Sequence, residues 1–252
     1  MRYDAGAADL DTPLLILAHP GHELRLFHWM ERTRPLVFIL TDGSGGGAMS
    51  RIAYSADCLR SAGARAGQAV FGLMPDRAWY AALRCRDAAP FLTAVAGIAA
   101  EVAVPSGVSP LVVADPVEGY NPMHDLCSAV ADAVAARLGA FSRRRSFALT
   151  AEAQSCGSPG LTLDAAALVR KRAAIAAYAP LAEEAARLLA AEPASLGQER
   201  LLPSYFDWPT QMTPPPAYEA FGQERVRSGR YEAPITYAEH VLPMVRAIRD
   251  SA

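Results

Sequence analysis

Short runs that are apolar at every position punctuate the first half of the chain. The four clearest are 14–18, 36–40, 69–73 and 111–114, and each is closed within two residues by Pro or Asp. Runs of this length, with no alternation, are what parallel strands covered on both faces look like. The intervals 23–32, 51–67 and 125–138 are long enough for crossover helices, and 146–150 reads as a fifth strand. Repeated strand–helix–strand units predict an α/β fold: an open, mostly parallel sheet with helices on both faces.

The pattern changes in the second half. Residues 164–191 form one Ala-rich stretch decorated with Arg and Glu, with Pro180 expected to break or kink the helix. Prolines crowd 193–216 beside Tyr205, Phe206 and Trp208, which predicts an ordered surface loop serving as a lid. Residues 237–248 predict a closing helix. No internal repeat is visible, and residues 1–252 read as one domain.

Composition narrows the function classes. Hydrophobic residues make up 52% and charged ones 20% of 252 residues, enough for a sizeable core. Lys+Arg 24 against Asp+Glu 26 leaves a net charge of -2. The one basic tract, Arg143-Arg144-Arg145, reads as the solvated start of a strand, so no positive face for nucleic acid is expected. The apolar stretch 91–100 is too short to span a membrane and runs into Glu101. Residues 1–11 carry three aspartates and lack a cationic-then-apolar leader, which points to a soluble, cytoplasmic protein. Cys58, Cys85, Cys127 and Cys156 lie far apart and are expected as buried, reduced thiols. No feature of the pattern sets the oligomeric state.

Candidate chemistry concentrates on histidine. His19 and His22 sit three residues apart at the carboxyl end of the first predicted strand, and His124 follows the fourth. Ligands of open parallel sheets bind outside the carboxyl ends of the strands. Two close imidazoles plus one from a distant loop is a ligand pattern of an open catalytic zinc site. Three neutral imidazoles suit iron(II) or another divalent metal as well. His28 and His240 lie on predicted helices and are expected to be structural. Gly43-Ser44-Gly45-Gly46-Gly47-Ala48 formally fits a dinucleotide fingerprint but follows the second strand, and the acid expected about 20 positions on is missing. It reads instead as a loop at the rim of a pocket, with Arg51 placed to hold an anionic or hydroxylated substrate group.

Taken in order, these motifs resemble the PIG-L/LmbE-like zinc-dependent N-deacetylases, which act on N-acetylglucosaminyl lipids, thiol glycosides and related amides. Ala18-His19-Pro20-Gly21-His22-Glu23 stands where that family has A-H-P-D-D-E. Thr41-Asp42-Gly43 matches its T-D-G, and Gly72 to Asp76 its G-x-x-D-like turn. Asn121-Pro122-Met123-His124 answers H-P-D-H, and Lys171-Arg172-Ala173-Ala174-Ile175 answers K-x-x-A-[IL]. The resemblance covers about residues 13 to 180. It implies a Rossmann-like fold of the LmbE type, His19, His22 and His124 as metal ligands, and Asp42 and Asp76 beside Arg51 at the substrate.

The departures fall on proton transfer. Gly21 replaces the family's general base, Asn121 its histidine that stabilises the tetrahedral intermediate, and Met123 the aspartate partner of that histidine. Glu118 is the expected replacement base, and Asn121 and Tyr120 the expected hydrogen-bond donors to an oxyanion. The expected function is metal-dependent hydrolysis of an N-acylated small molecule, such as an amino sugar or biosynthetic intermediate. The rivals are a metal-binding protein that has lost hydrolysis and a different metal-dependent reaction.

Overall fold

A computed structural model describes residues 12–45, 49–102, 108–148, 160–191 and 195–252. Its seven-stranded sheet runs in the order β3-β2-β1-β4-β5-β7-β6. The strands are β1 (Leu14–Leu17), β2 (Leu36–Thr41), β3 (Arg65–Met74), β4 (Val112–Ala114), β5 (Arg144–Phe147), β6 (Gly160–Thr162) and β7 (Gln198–Pro203). The first five are parallel, whereas β7 runs antiparallel to both β5 and β6. This is the Rossmann-like order, in which the winding reverses between β1 and β4.

All of β1 and β2 is buried, and successive residues serve opposite faces. Leu14, Ile16, Leu36 and Phe38 pack into one core with α3 (Asp76–Cys85), α4 (Ala89–Glu101), α5 (Pro122–Arg137) and α9 (Leu242–Arg249). Leu15, Leu17, Val37 and Ile39 pack into the other with α1 (Phe27–Thr33), α2 (Ile52–Ala62) and residues flanking the end of α6 (Ala165–Ala177). The expectation of helices on both faces is met. Among the described residues no helix is long and apolar enough to cross a membrane.

Several boundaries differ from the sequence reading. The helix expected over 51–67 stops at Ala62, because Gly63 takes a left-handed turn (φ 71°) and caps it, so β3 begins at Arg65. The first helix opens as a 3-10 turn, His22–Leu26, before α1. Pro180 does break 164–191: a 3-10 turn separates α6 from α7 (Ala182–Ala191). The closing helix starts as a π turn, Tyr237–Val241. Residues 149 and 150 of the fifth predicted strand lie outside the described residues.

The stretch read as a loop, 193–216, is not all loop, because it contains β7, whose pairing with β5 and β6 comes from distant sequence. Helices α3, α4 and α8 (Ala217–Arg227) were not anticipated. Arg144 was expected in solvent but is buried, because its guanidinium bonds Asp132 (3.1 Å) and the Ser128 hydroxyl (3.0 Å) of α5. Cys58 and Cys127 are buried thiols as expected, but Cys85, on the outer end of α3, is exposed. Cys156 lies outside the described residues.

Candidate metal centre at the carboxyl ends of β1 and β4

The chain turns sharply after β1. The Ala18 N–H donates to the Asp115 carboxylate at the end of β4 (2.6 Å), which pins the two strand ends together. Gly21 then takes φ 109°, and its N–H donates to the buried Glu23 carboxylate (2.7 Å). Glu23 is held in turn by the Ser55 hydroxyl (2.5 Å), and Ser55 meets the Tyr178 hydroxyl (2.9 Å). A β-carbon on Gly21 would lie 2.2 Å from Leu181 Cδ1. The aspartate that the family pattern carries here would meet both a left-handed backbone and a filled space.

This turn brings His19 and His22 together, and α5 brings His124 to them. Asn121 caps α5, its side chain accepting the Met123 N–H (2.9 Å), and Pro122 occupies the first turn. The three ring centroids lie 5.6 Å (His19–His22), 5.1 Å (His19–His124) and 4.6 Å (His22–His124) apart. Three imidazoles each bonded to a tetrahedral ion at about 2.0–2.1 Å would hold their centroids about 5 Å apart. As the side chains stand, no group of three or more His, Cys, Asp or Glu among the described residues is set to hold a metal ion. The centroid spacing is that of rings around one ion, but the donor atoms are not set for it as the side chains stand.

Each ring is tethered at Nδ1. His19 Nδ1 lies 3.1 Å from Asp76 and 2.9 Å from the Thr41 hydroxyl, and His22 Nδ1 lies 2.7 Å from Asp115. His124 Nδ1 bonds the Glu118 carboxylate. A carboxylate on one nitrogen fixes the tautomer and leaves the other nitrogen with a lone pair to offer. For His19 that nitrogen, Nε2, faces the Asn121 amide (3.3 Å). Burial lowers the His19 pKa in spite of the Asp76 hydrogen bond, which favours the neutral, ligating form. Burial alone would raise the pKa of Asp76 and Asp115, but their imidazole partners and backbone N–H donors outweigh it and hold both at about 2.

The other expected site residues fall into three groups. Glu118 is beside the cluster, with a side chain 21% exposed against 4% for Asp76 and 0% for Asp115, and it is engaged on His124 rather than standing free. Asn121 is also there: its Oδ1 accepts from Met123 and from the Tyr80 hydroxyl (2.9 Å), which turns its NH2 toward His19. Tyr120 is not, because its side chain is exposed and its ring packs on Phe221 of α8 (centroids 5.4 Å). Asp76, expected at the substrate, is instead the carboxylate behind His19. Asp42 braces the neighbouring loop, accepting the N–H groups of Ser44 (2.9 Å) and Asp76 (3.2 Å). Arg51 Nε donates to the Gly43 carbonyl (2.6 Å). Gly43 packs close against Pro20, and residues 46–48 lie outside the described residues.

His28 is bonded to Glu31 (2.8 Å) and His240 accepts the Thr236 N–H (3.1 Å), both away from the cluster. Sequence reasoning missed Asp115, Thr41 and Tyr80. Asp115 had a signal, an acid closing an apolar strand where the winding reverses, but it passed for a strand terminator. The fold and cluster together define a Rossmann-like α/β protein with three imidazoles, each backed by a carboxylate, at its topological switch point. Compared with models of known families, with curated proteins and with solved structures, the chain matches none.

Proposed function

We propose that this chain is a metal-dependent amide hydrolase of the N-deacetylase type, with zinc as the ion. Its substrate would be an N-acylated small molecule, such as an amino sugar or biosynthetic intermediate, met in the cytoplasm. The observation that carries the reading is the meeting of His19, His22 and His124, each with a carboxylate or carboxylate-backed hydrogen bond at Nδ1. The ordered resemblance to PIG-L/LmbE-like proteins supports it from the sequence side.

His19, His22 and His124 would hold the ion through their remaining nitrogens, His19 by giving up its Nε2 contact with the Asn121 NH2, which frees that amide. Zinc in such a site supplies a Lewis acid and an acidified water. Asp76 and Asp115 are too enclosed to exchange protons with substrate, and they keep two of the rings in place. Glu118 is the carboxylate with solvent access, so it takes the proton from the attacking water and returns it to the leaving amine. Asn121 offers its NH2 to the oxygen that gains charge, a task that needs no proton exchange. Losing the ordinary base at Gly21 would leave a slower enzyme, by on the order of 10²–10⁴, unless Glu118 makes up the loss.

The same residues suit a second reading. Gly21 and Asn121 replace both proton-transfer groups of the family pattern, which favours a metal-binding protein without hydrolysis. Iron(II) or another divalent ion fits the same donors. Elemental analysis of the purified protein tests the shared premise. His124→Ala should lose the bound metal, whereas His28→Ala and His240→Ala should keep it. Metal retained in folded His124→Ala would sink the assignment. Glu118 also backs His124, so Glu118→Gln should be assayed at zinc high enough to load it fully. Turnover of an N-acetyl amide panel, abolished in that loaded variant, would separate hydrolase from binding protein.

A further inference from the structure

A cleft of about 290 Å³ is lined in part by Glu118, the residue that bonds His124. Its walls are Val117, Phe147, Leu202 and Phe206, with the Ser128 and Ser146 hydroxyls among them, and Tyr205 stands at the edge, largely exposed. Three parts of the fold converge to build it: the loop after β4, the paired ends of β5 and β7, and α5 one turn beyond His124. Glu118 is common to both places, lining the cleft and bonding His124.

We propose that this cleft is the subsite for an aliphatic or aryl substituent of the amide substrate, larger than acetyl. The assignment rests on reading the histidine cluster as the hydrolytic centre. Taking about 30 Å³ for each non-hydrogen atom, as for water, the space suits a group of about ten such atoms. The cleft is half open, and its lining mixes apolar and aromatic side chains with a substantial polar share from Glu118, Ser128, Ser146 and Ser204. The Ser128 hydroxyl accepts from Arg144, so its own proton is not used in that bond. Arg144 is held by Asp132, and among the described residues no Lys or Arg lines the cleft, so an anionic group would find no partner there.

The test uses the full chain, with and without zinc, and two probes, hexanamide and acetamide. Each buried methylene is worth about fourfold in affinity. Hexanamide should therefore bind at least tenfold more tightly than acetamide by isothermal titration. Leu202→Trp, which fills the cleft, should erase that difference while leaving zinc stoichiometry unchanged. Val117→Trp makes the same test from the loop should the strand variant not fold. Equal binding of the two amides by the wild-type chain, or a preference that survives both fillings, overturns the assignment. A chain that binds no zinc but still prefers hexanamide would refute the hydrolase reading while leaving the cleft a real apolar site.

Discussion

Two buried charge clusters in this molecule are built on opposite terms. Glu199 accepts from Lys171 Nζ (2.7 Å) and from the N–H groups of His28 (3.0 Å) and Trp29 (2.6 Å), while Lys171 also donates to the Arg25 carbonyl (3.0 Å). The pair is closed to solvent and ties α6 and β7 to the start of α1. Its hydrogen bonds run inward, and it holds elements together. In the histidine cluster, Asp76, Asp115 and Glu118 each engage Nδ1 of one imidazole, and the three ring centroids gather 4.6 to 5.6 Å apart. A buried ionic group that satisfies itself is a fastener. A cluster of imidazoles each engaged at one nitrogen has a second nitrogen on every ring, which is what the proposed centre would use.

The contrast is broken most forcefully at the fastener. Lys171→Met keeps the bulk of the side chain but strands the Glu199 carboxylate in the interior with backbone donors alone. Removing one partner of a buried pair costs about 3–5 kcal/mol. A urea titration should show a loss of that size, with metal uptake per folded molecule unchanged. If metal uptake fell while stability held, Lys171 would belong to the centre and the division would fail.

A smaller effect is expected within the centre. Asp115→Asn can still receive the Ala18 N–H but presents a neutral partner to His22. Loss of a carboxylate behind a ligating histidine costs about 10–100-fold in metal affinity. Competition with a chelator measures it. Zinc affinity unchanged in a folded Asp115→Asn protein would remove His22 from the ligand set.

What the sequence shows, and what it hides, follows from how local each feature is. β1, β2 and β4 are legible because both faces are buried, so every position in the run is apolar. The parallel order follows from the helices between them. β7 is illegible because Gln198-Glu199-Arg200-Leu201-Leu202-Pro203 carries no alternation, and its pairing depends on strands far off in sequence. α4 had its signal, since Phe91, Ala94, Val95 and Ile98 recur at helical spacing on the buried side. The three histidines are legible as residues at strand ends. Their carboxylate partners are less so, because Asp76 and Asp115 come from other strand ends. The Tyr80–Asn121 contact joins residues 41 apart on different helices, and nothing short-range announces it.

That contact gives the mildest test. The Asn121 Oδ1 accepts two hydrogen bonds, from the Met123 N–H and the Tyr80 hydroxyl, and together they decide which way the amide faces. With Oδ1 committed, the NH2 can only turn toward His19 Nε2. Tyr80→Phe removes one of the two and leaves the helix cap in place. A single buried hydrogen bond is worth about 0.5–1.5 kcal/mol, so the unfolding midpoint should fall only slightly. Metal content should not change, since Asn121 is not a ligand. If Asn121 steadies the charge that develops on the substrate oxygen, kcat should drop severalfold while KM stays near its wild-type value, because the amide then spends part of its time turned away. A rise in KM with kcat intact would instead place Asn121 in ground-state binding. A Tyr80→Phe protein kinetically identical to wild type would show that the cap alone sets the amide, and that Tyr80 contributes packing and nothing more.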